Sequence, residues 1–286
     1  MTDDKAGTAR SVRWEGLGAR ILSAAVLAPV VLACVWFGGV AFVVLMAVVG
    51  VLMAREWAFL VFGDTPGTIW RFLFQAAVAV LCMVLAWTMS VSAAAGVLAM
   101  GLLLATVHDL NWTHRTGWMA FGIGYISLPL IAMVLLRENQ PHGFLAILWV
   151  LLVVWMTDTA AYFVGRAVGG PKLAPRISPK KTWAGLVGGM VGGGITAYLI
   201  AIVAELPSPL PVATLGVVAA VVGQGGDMLE SGIKRRFGVK DTGNLIPGHG
   251  GMLDRADAVM TVVVMAWLVG LARAGAGDEA AGLLIW

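Results

Sequence analysis

Residues 144–164 read FLAILWVLLVVWMTDTAAYFV, an apolar run whose one charged side chain is Asp158. A helix rises 1.5 Å per residue, so a run of about 20 apolar residues matches the hydrocarbon thickness of a bilayer. This stretch is therefore expected to cross a membrane as a helix. Similar runs occur at 21–37, 40–62, 72–89, 91–107, 118–136, 184–204, 212–222 and 258–272, which predicts an all-α, polytopic integral membrane protein of about nine transmembrane helices. Eight is the fallback, because 212–222 is short. Arg55 and Glu56 place the end of 40–62 beyond the hydrocarbon.

Composition agrees with lipid as the solvent. Of 286 residues, 59% are hydrophobic and 12% charged, against about half apolar and a quarter charged in a water-soluble chain. These proportions exclude a disordered chain, a disulfide scaffold and a nucleic-acid module. Cys34 and Cys82 lie inside apolar runs and read as buried small hydrophobes. The net charge of +3 is too small to specify a partner, so placement matters more than total.

With nine alternating spans and a cytoplasmic N-terminus, all of the 19 Lys and Arg residues except Arg137 and Arg273 fall on the cytoplasmic side. That asymmetry is the positive-inside pattern; the C-terminus then lies outside. The chain divides into a basic arm (1–20, carrying Lys5, Arg10, Arg13 and Arg20), N-terminal helices (21–140), a catalytic helical region (141–273) with cytoplasmic loops 165–183 and 223–257, and a tail (274–286). The first span lacks a small-residue cleavage site and reads as a retained anchor. Span 184–204 carries glycine rows, Gly185/Gly189/Gly193 and Gly188/Gly192, which let helices approach closely. They serve packing within the chain or a homodimer. No repeat relates the two halves, which disfavours an inverted-repeat transporter.

Acidic residues carry most of the functional signal, since a carboxylate at the bilayer centre costs roughly 2.5 to 3.5 kcal/mol. Asp158, Asp227, Asp254 and Asp257 lie at or near the cytoplasmic ends of spans. Asp254 and Asp257, three apart, point to one side of a helix beginning there. With Asp227 they could gather oxygens around one hard divalent cation such as Mg²⁺, which takes one or two carboxylates plus waters and phosphates. Helix capping by Asp254 and salt bridges to Arg255 or Arg235 are the alternative use. Between these acids lie Ser231, Lys234, Arg235, Arg236, Lys240 and Asp241, then Pro247, Gly248, His249, Gly250 and Gly251, and finally Asp254-Arg255-Ala256-Asp257. Cations beside a glycine-rich turn suit phosphate oxygens. Ser178, Lys180, Lys181 and Thr182, before the span at 184, offer a second anion site at a helix N-terminus. Taken singly, each Lys or Arg reads as a membrane-flanking anchor; it is the clustering that suggests polyphosphate. His249 has no second histidine nearby in sequence, so zinc is disfavoured.

The stretch 231–257 resembles the signature of the phosphatidate cytidylyltransferases: Ser-x-apolar-Lys-Arg, four residues, Lys-Asp, a Pro-x-His-Gly-Gly core and a closing Asp-Arg-x-Asp. Asp158, Tyr162, Gly165-Arg166 and 178–183 resemble that family's other shared region. Ala256 stands where a larger apolar residue is usual, and Ala184 where an acidic one is expected, so no role of that carboxylate carries over. The resemblance covers the C-terminal half. It implies transfer from CTP to phosphatidic acid in the inner (cytoplasmic) membrane, giving CDP-diacylglycerol and pyrophosphate. It further implies Mg²⁺, with room for a second cation, on Asp227 and Asp254, with Asp257 third. Lys234, Arg235, Lys240, Lys180 and Lys181 would hold phosphates. Ser231, Ser178, Asp241, His249, Gly250, Gly251 and Arg255 would complete the substrate site. Rival expectations are another membrane transferase or kinase of lipid phosphates, and an ion-coupled transporter using Asp158 and Asp227.

Overall fold

The computed structural model describes residues 25, 28–112, 115, 117–243 and 250–286. The basic arm, the beginning of the first span, His114 and His249 lie outside the described residues. Helices follow the apolar runs: α1, described as Ala28–Phe37, then α2 (Gly39–Phe62), α3 (Thr68–Thr88), α4 (Val91–Trp112), α5 (Trp118–Glu138), α6 (Gly143–Val168), α7 (Trp183–Val203), α8 (Pro209–Arg236), α9 (Leu253–Ala274) and the short α10 (Glu279–Leu284). Among the described residues, eight helices, α2 to α9, are long and apolar enough to cross a membrane.

Two departures concern the expected loops. Residues 165–183 are not a plain loop. α6 runs to Val168, and an antiparallel hairpin follows, β1 (Lys172–Ala174) with β2 (Ser178–Thr182), pairing Lys172 with Thr182 and Ala174 with Ser178. Nor is 223–257 one loop: α8 continues unbroken to Arg236 and α9 begins at Leu253. The extension of α8 is polar, so its hydropathy reads as loop. Its helix is supported by side chains four apart, Asp227 with Ser231 and Glu230 with Lys234, the spacing at which helical neighbours meet.

Helices α2 to α5 form one packed group and α6 to α9 another. α5, the most enclosed of the spans, joins them by packing on α9 as well as on α2, α3, α4 and α6. Both glycine rows of α7 are used inside the chain. A Cβ on Gly192 would lie 2.5 Å from Ala160 Cβ, one on Gly189 3.1 Å from Thr157, and one on Gly193 3.0 Å from the Gly216 carbonyl of α8. Close backbone approach thus locks α6, α7 and α8 side by side. At the opposite end of the bundle from the hairpin, Arg137 is buried: its Nε donates to the Val35 carbonyl and its Nη2 to that of Trp36, satisfying the end of α1.

Replacing Gly192 by Leu should force α6 and α7 apart and cost about 1–3 kcal/mol, the usual range for overpacking. Gly96 of α4, with nothing within 4 Å of its Cβ position, should accept Leu with little change. Thermal unfolding in detergent compares the two; equal melting temperatures would refute this packing.

Candidate active site

The hairpin leads the chain from α6 into α7, and two local devices aim it. Gly169 and Gly170 take φ of +66° and +89° at the exit of α6, conformations open to glycine without strain. At the entry to α7, Thr182 Oγ1 accepts the Gly185 amide at 3.1 Å as an N-cap. This returns β2 against α8, and a cavity of about 450 Å³ opens between α6, the hairpin and α8. Arg166, Lys172, Lys180 and Lys181 line it together with Asp158, Gln224 and Asp227.

Lys181 anchors that meeting of charges. Its Nζ lies 2.6 Å from Asp227 Oδ2 and donates to the Gln224 carbonyl at 3.5 Å. Asp227 Oδ1 accepts from Ser231 at 3.2 Å, and Asp158 Oδ1 from Gln224 Nε2 at 3.1 Å. Asp257 stands within electrostatic range of Asp227, Lys234 and Asp158. Arg166 donates to the Tyr162 hydroxyl at 2.8 Å along the cavity wall. A cavity with cations over carboxylates accommodates a polyanion together with a hard cation.

Asp254 forms a second cluster. Lys234 Nζ lies 2.6 Å from Asp254 Oδ1 and 3.0 Å from Glu230 Oε1. Asp254 Oδ2 accepts the Thr242 and Gly251 amides, both at 2.9 Å, and the Thr242 hydroxyl at 3.0 Å. Sequence offered helix capping as the alternative for Asp254, and the side chain also forms a salt bridge with Lys234; Arg235, considered as a partner of the other acids, donates to the Val239 carbonyl. Gly250 has φ +84°, and a Cβ on Gly251 would collide with Thr242 Oγ1 and approach Glu56 Oε2 to 2.6 Å. That crowding is why the turn holds glycines here.

The expected residues thus separate into three groups. Asp227, Lys181 and Lys180 line the cavity, with Ser231 behind Asp227; Lys234, Asp254, Gly250 and Gly251 form the adjoining cluster. Arg235, Lys240, Asp241 and Arg255 are exposed around the loop between α8 and α9. Ser178 stands at the turn end of the hairpin, outside the cavity lining. Asp254 and Asp257 share a helix but reach different partners. Among the described residues, no three His, Cys, Asp or Glu side chains enclose a metal position by themselves.

Five participants were not singled out from sequence: Glu56, Lys172, Gln224, Glu230 and Thr242. Glu56 left the clearest sign, a carboxylate inside an apolar run. It is buried within the protein, 2% exposed, with Oε1 accepting the Met252 amide and Oε2 the Leu253 amide, 3.0 Å from the Thr242 hydroxyl.

Replacing Lys234 by Met would leave Glu230 and Asp254, both buried, without their shared ammonium. Breaking a buried pair this way costs about 3–5 kcal/mol, so the melting temperature in detergent should fall sharply, and adding Glu230→Gln should recover part of the loss. No change in Lys234→Met would contradict the bridge.

Known proteins place the chain in a family. A model of the cytidylyltransferase family matches residues 18–272. The phosphatidate cytidylyltransferases of Brucella suis biovar 1 and Brucella melitensis biotype 1 are each 38% identical over 257 residues, covering 89% of this chain and 93% of their own length. That of Bacillus subtilis is 35% identical over 150 residues, 52% of this chain and 56% of the relative. With the match spanning all eight long helices, the chain belongs to the cytidylyltransferase family.

Proposed function

We propose that this protein is a phosphatidate cytidylyltransferase, converting CTP and phosphatidic acid to CDP-diacylglycerol and pyrophosphate at the cytoplasmic face of the inner membrane. The observation that carries the reading is the cavity where Arg166, Lys172, Lys180 and Lys181 face Asp158 and Asp227 at one end of a lipid-spanning bundle. Such a position is open to a water-soluble triphosphate and adjoins the bilayer that holds the lipid substrate. The basic loops gathered at that end support a cytoplasmic orientation.

In the reaction, a phosphate oxygen of phosphatidate attacks the α-phosphorus of CTP in line. The new bond forms there as the bond from the α-phosphorus to the bridging oxygen breaks and pyrophosphate departs. The nucleophile is already anionic, so positioning and charge stabilisation suffice and no side chain need become covalently attached. Lys180 and Lys181 hold phosphate oxygens from the hairpin, with Arg166 and Lys172 on the same wall; Lys234, Arg235 and Lys240 extend positive charge from α8 and the loop beyond it. Ser231 steadies Asp227 through its hydroxyl.

Carboxylate oxygens suit Mg²⁺ in kind: Asp227 faces the Lys181 ammonium and Asp254 that of Lys234, each at 2.6 Å, two adjoining positions that favour positive charge. Asp227 and Asp254 would hold the ion, with Asp257 beside them and phosphate oxygens completing its shell. When bound it would screen the two anionic reactants from each other and neutralise charge on pyrophosphate.

Purified protein given radiolabelled CTP, phosphatidate and Mg²⁺ should release a CDP-lipid, with the nucleotide range read against dCTP and UTP. Asp227→Asn should reduce turnover to background while the protein remains folded and inserted. Lys180→Ala should chiefly weaken substrate binding. Failure of the native protein to form any CDP-lipid refutes the assignment; near-normal turnover in Asp227→Asn refutes the role of that carboxylate.

A further inference from the structure

The loop that joins α8 to α9 is fastened by a side chain from the other half of the molecule. α9 opens at Leu253, and Met252 before it provides no capping side chain. The first N–H groups of a helix have no partner within it and must find acceptors elsewhere. Here Glu56, from α2, supplies them: Oε1 accepts the Met252 amide at 2.8 Å, and Oε2 accepts the Leu253 amide at 2.9 Å and the Thr242 hydroxyl at 3.0 Å. The partners lie 186 to 197 residues away in sequence.

A carboxylate suits this place for two reasons. The two backbone amides are donors, so an acceptor-only group meets both without conflict, whereas an amide nitrogen would oppose one of them; the single proton of the Thr242 hydroxyl is shared between Glu56 and Asp254. The positive end of the α9 dipole lies at the same point and favours negative charge. Thr242 then couples the two acids, because its hydroxyl is 3.0 Å from both Glu56 Oε2 and Asp254 Oδ2. Gly243 and Gly251 leave room for Glu56: a Cβ on either would come within 3.1 Å of its carboxylate.

We propose that Glu56 is a positioning residue for the cytidylyl transfer: by clamping Met252, Leu253 and Thr242 it sets where α9 begins and therefore where Asp254 and Asp257 present their oxygens. The proposal rests on the reading of this chain as a phosphatidate cytidylyltransferase and adds that a residue of α2 governs the geometry of a site built mainly by α6 to α9. Glu56 touches neither substrate; it acts through Thr242 and the amides.

Two readouts on Glu56→Gln test this. Hydrogen–deuterium exchange of the purified protein should show the Met252 and Leu253 amides exchanging at least tenfold faster, while α3, α6 and α7 keep their protection. Turnover per folded protein should fall at least tenfold, and the Mg²⁺ concentration giving half the maximal rate should rise at least threefold. A purely structural role would lower the yield of folded protein and leave the Mg²⁺ dependence of the remainder unchanged. Unchanged exchange at Met252 and Leu253, or turnover within twofold of the native protein, overturns the proposal. If Glu56→Gln does not fold, Thr242→Val provides the same test: it removes the hydroxyl linking Glu56 to Asp254, and the same rise in the Mg²⁺ requirement is expected, its absence being the contrary result. The exchange measurement needs no substrate, so it reads the clamp even if the native protein makes no CDP-lipid, the outcome that would instead defeat the functional reading.

Discussion

Where the chain leaves α8 and re-enters the bundle as α9, its backbone is held by carboxylates. Two oxygens of Glu56 and one of Asp254 accept four backbone amides and share the Thr242 hydroxyl, while the remaining Asp254 oxygen faces Lys234. Buried polar backbone without a partner is costly, and Thr242 and Leu253 are buried here. The acids therefore do two jobs at once. They satisfy the start of α9 and hold a line of negative charge at one end of the helices, beside which the lysines of the hairpin and of α8 take their places.

The other half of the site depends on how closely α6, α7 and α8 approach. Glycines on α7 bring it against Thr157 and Ala160 of α6 and Gly216 of α8, and the hairpin before α7 is carried in with it. Lys181 consequently reaches Asp227, and Asp158 of α6 reaches Gln224 of α8. A cavity lined by both cations and carboxylates follows from backbone proximity rather than from a dedicated domain. The proposed transfer between two anions would use that meeting of charges: cations to hold phosphates, and carboxylates to which a screening ion could bind.

Much of this architecture was legible in the sequence, because a run of about 20 apolar residues has few alternatives to a membrane-crossing helix. The exceptions have physical causes. α8 extends to Arg236 through polar residues and glycines, and its support comes from pairs such as Glu230 with Lys234, which hydropathy does not register. The hairpin strands are three and five residues long, too short for an alternating pattern to stand out. Asp227, Lys181 and Asp254 could be picked out as charges at span ends, yet the partner of each lies on another segment, so Lys234 was read as a phosphate ligand without its bridge to Glu230 and Asp254. Glu56 was visible as a carboxylate in an apolar run, but its acceptance of amides almost two hundred positions away has no local mark.

The most direct test of the site is a structure of the protein determined with CTP and Mn²⁺ in place of Mg²⁺, with the metal located by anomalous scattering. The expected result is triphosphate density against Lys180 and Lys181 in the cavity between the hairpin and α8, with the metal peak on Asp227. Triphosphate and metal bound elsewhere, with the Asp227 carboxylate still paired to Lys181 and the cavity free of nucleotide, would contradict it.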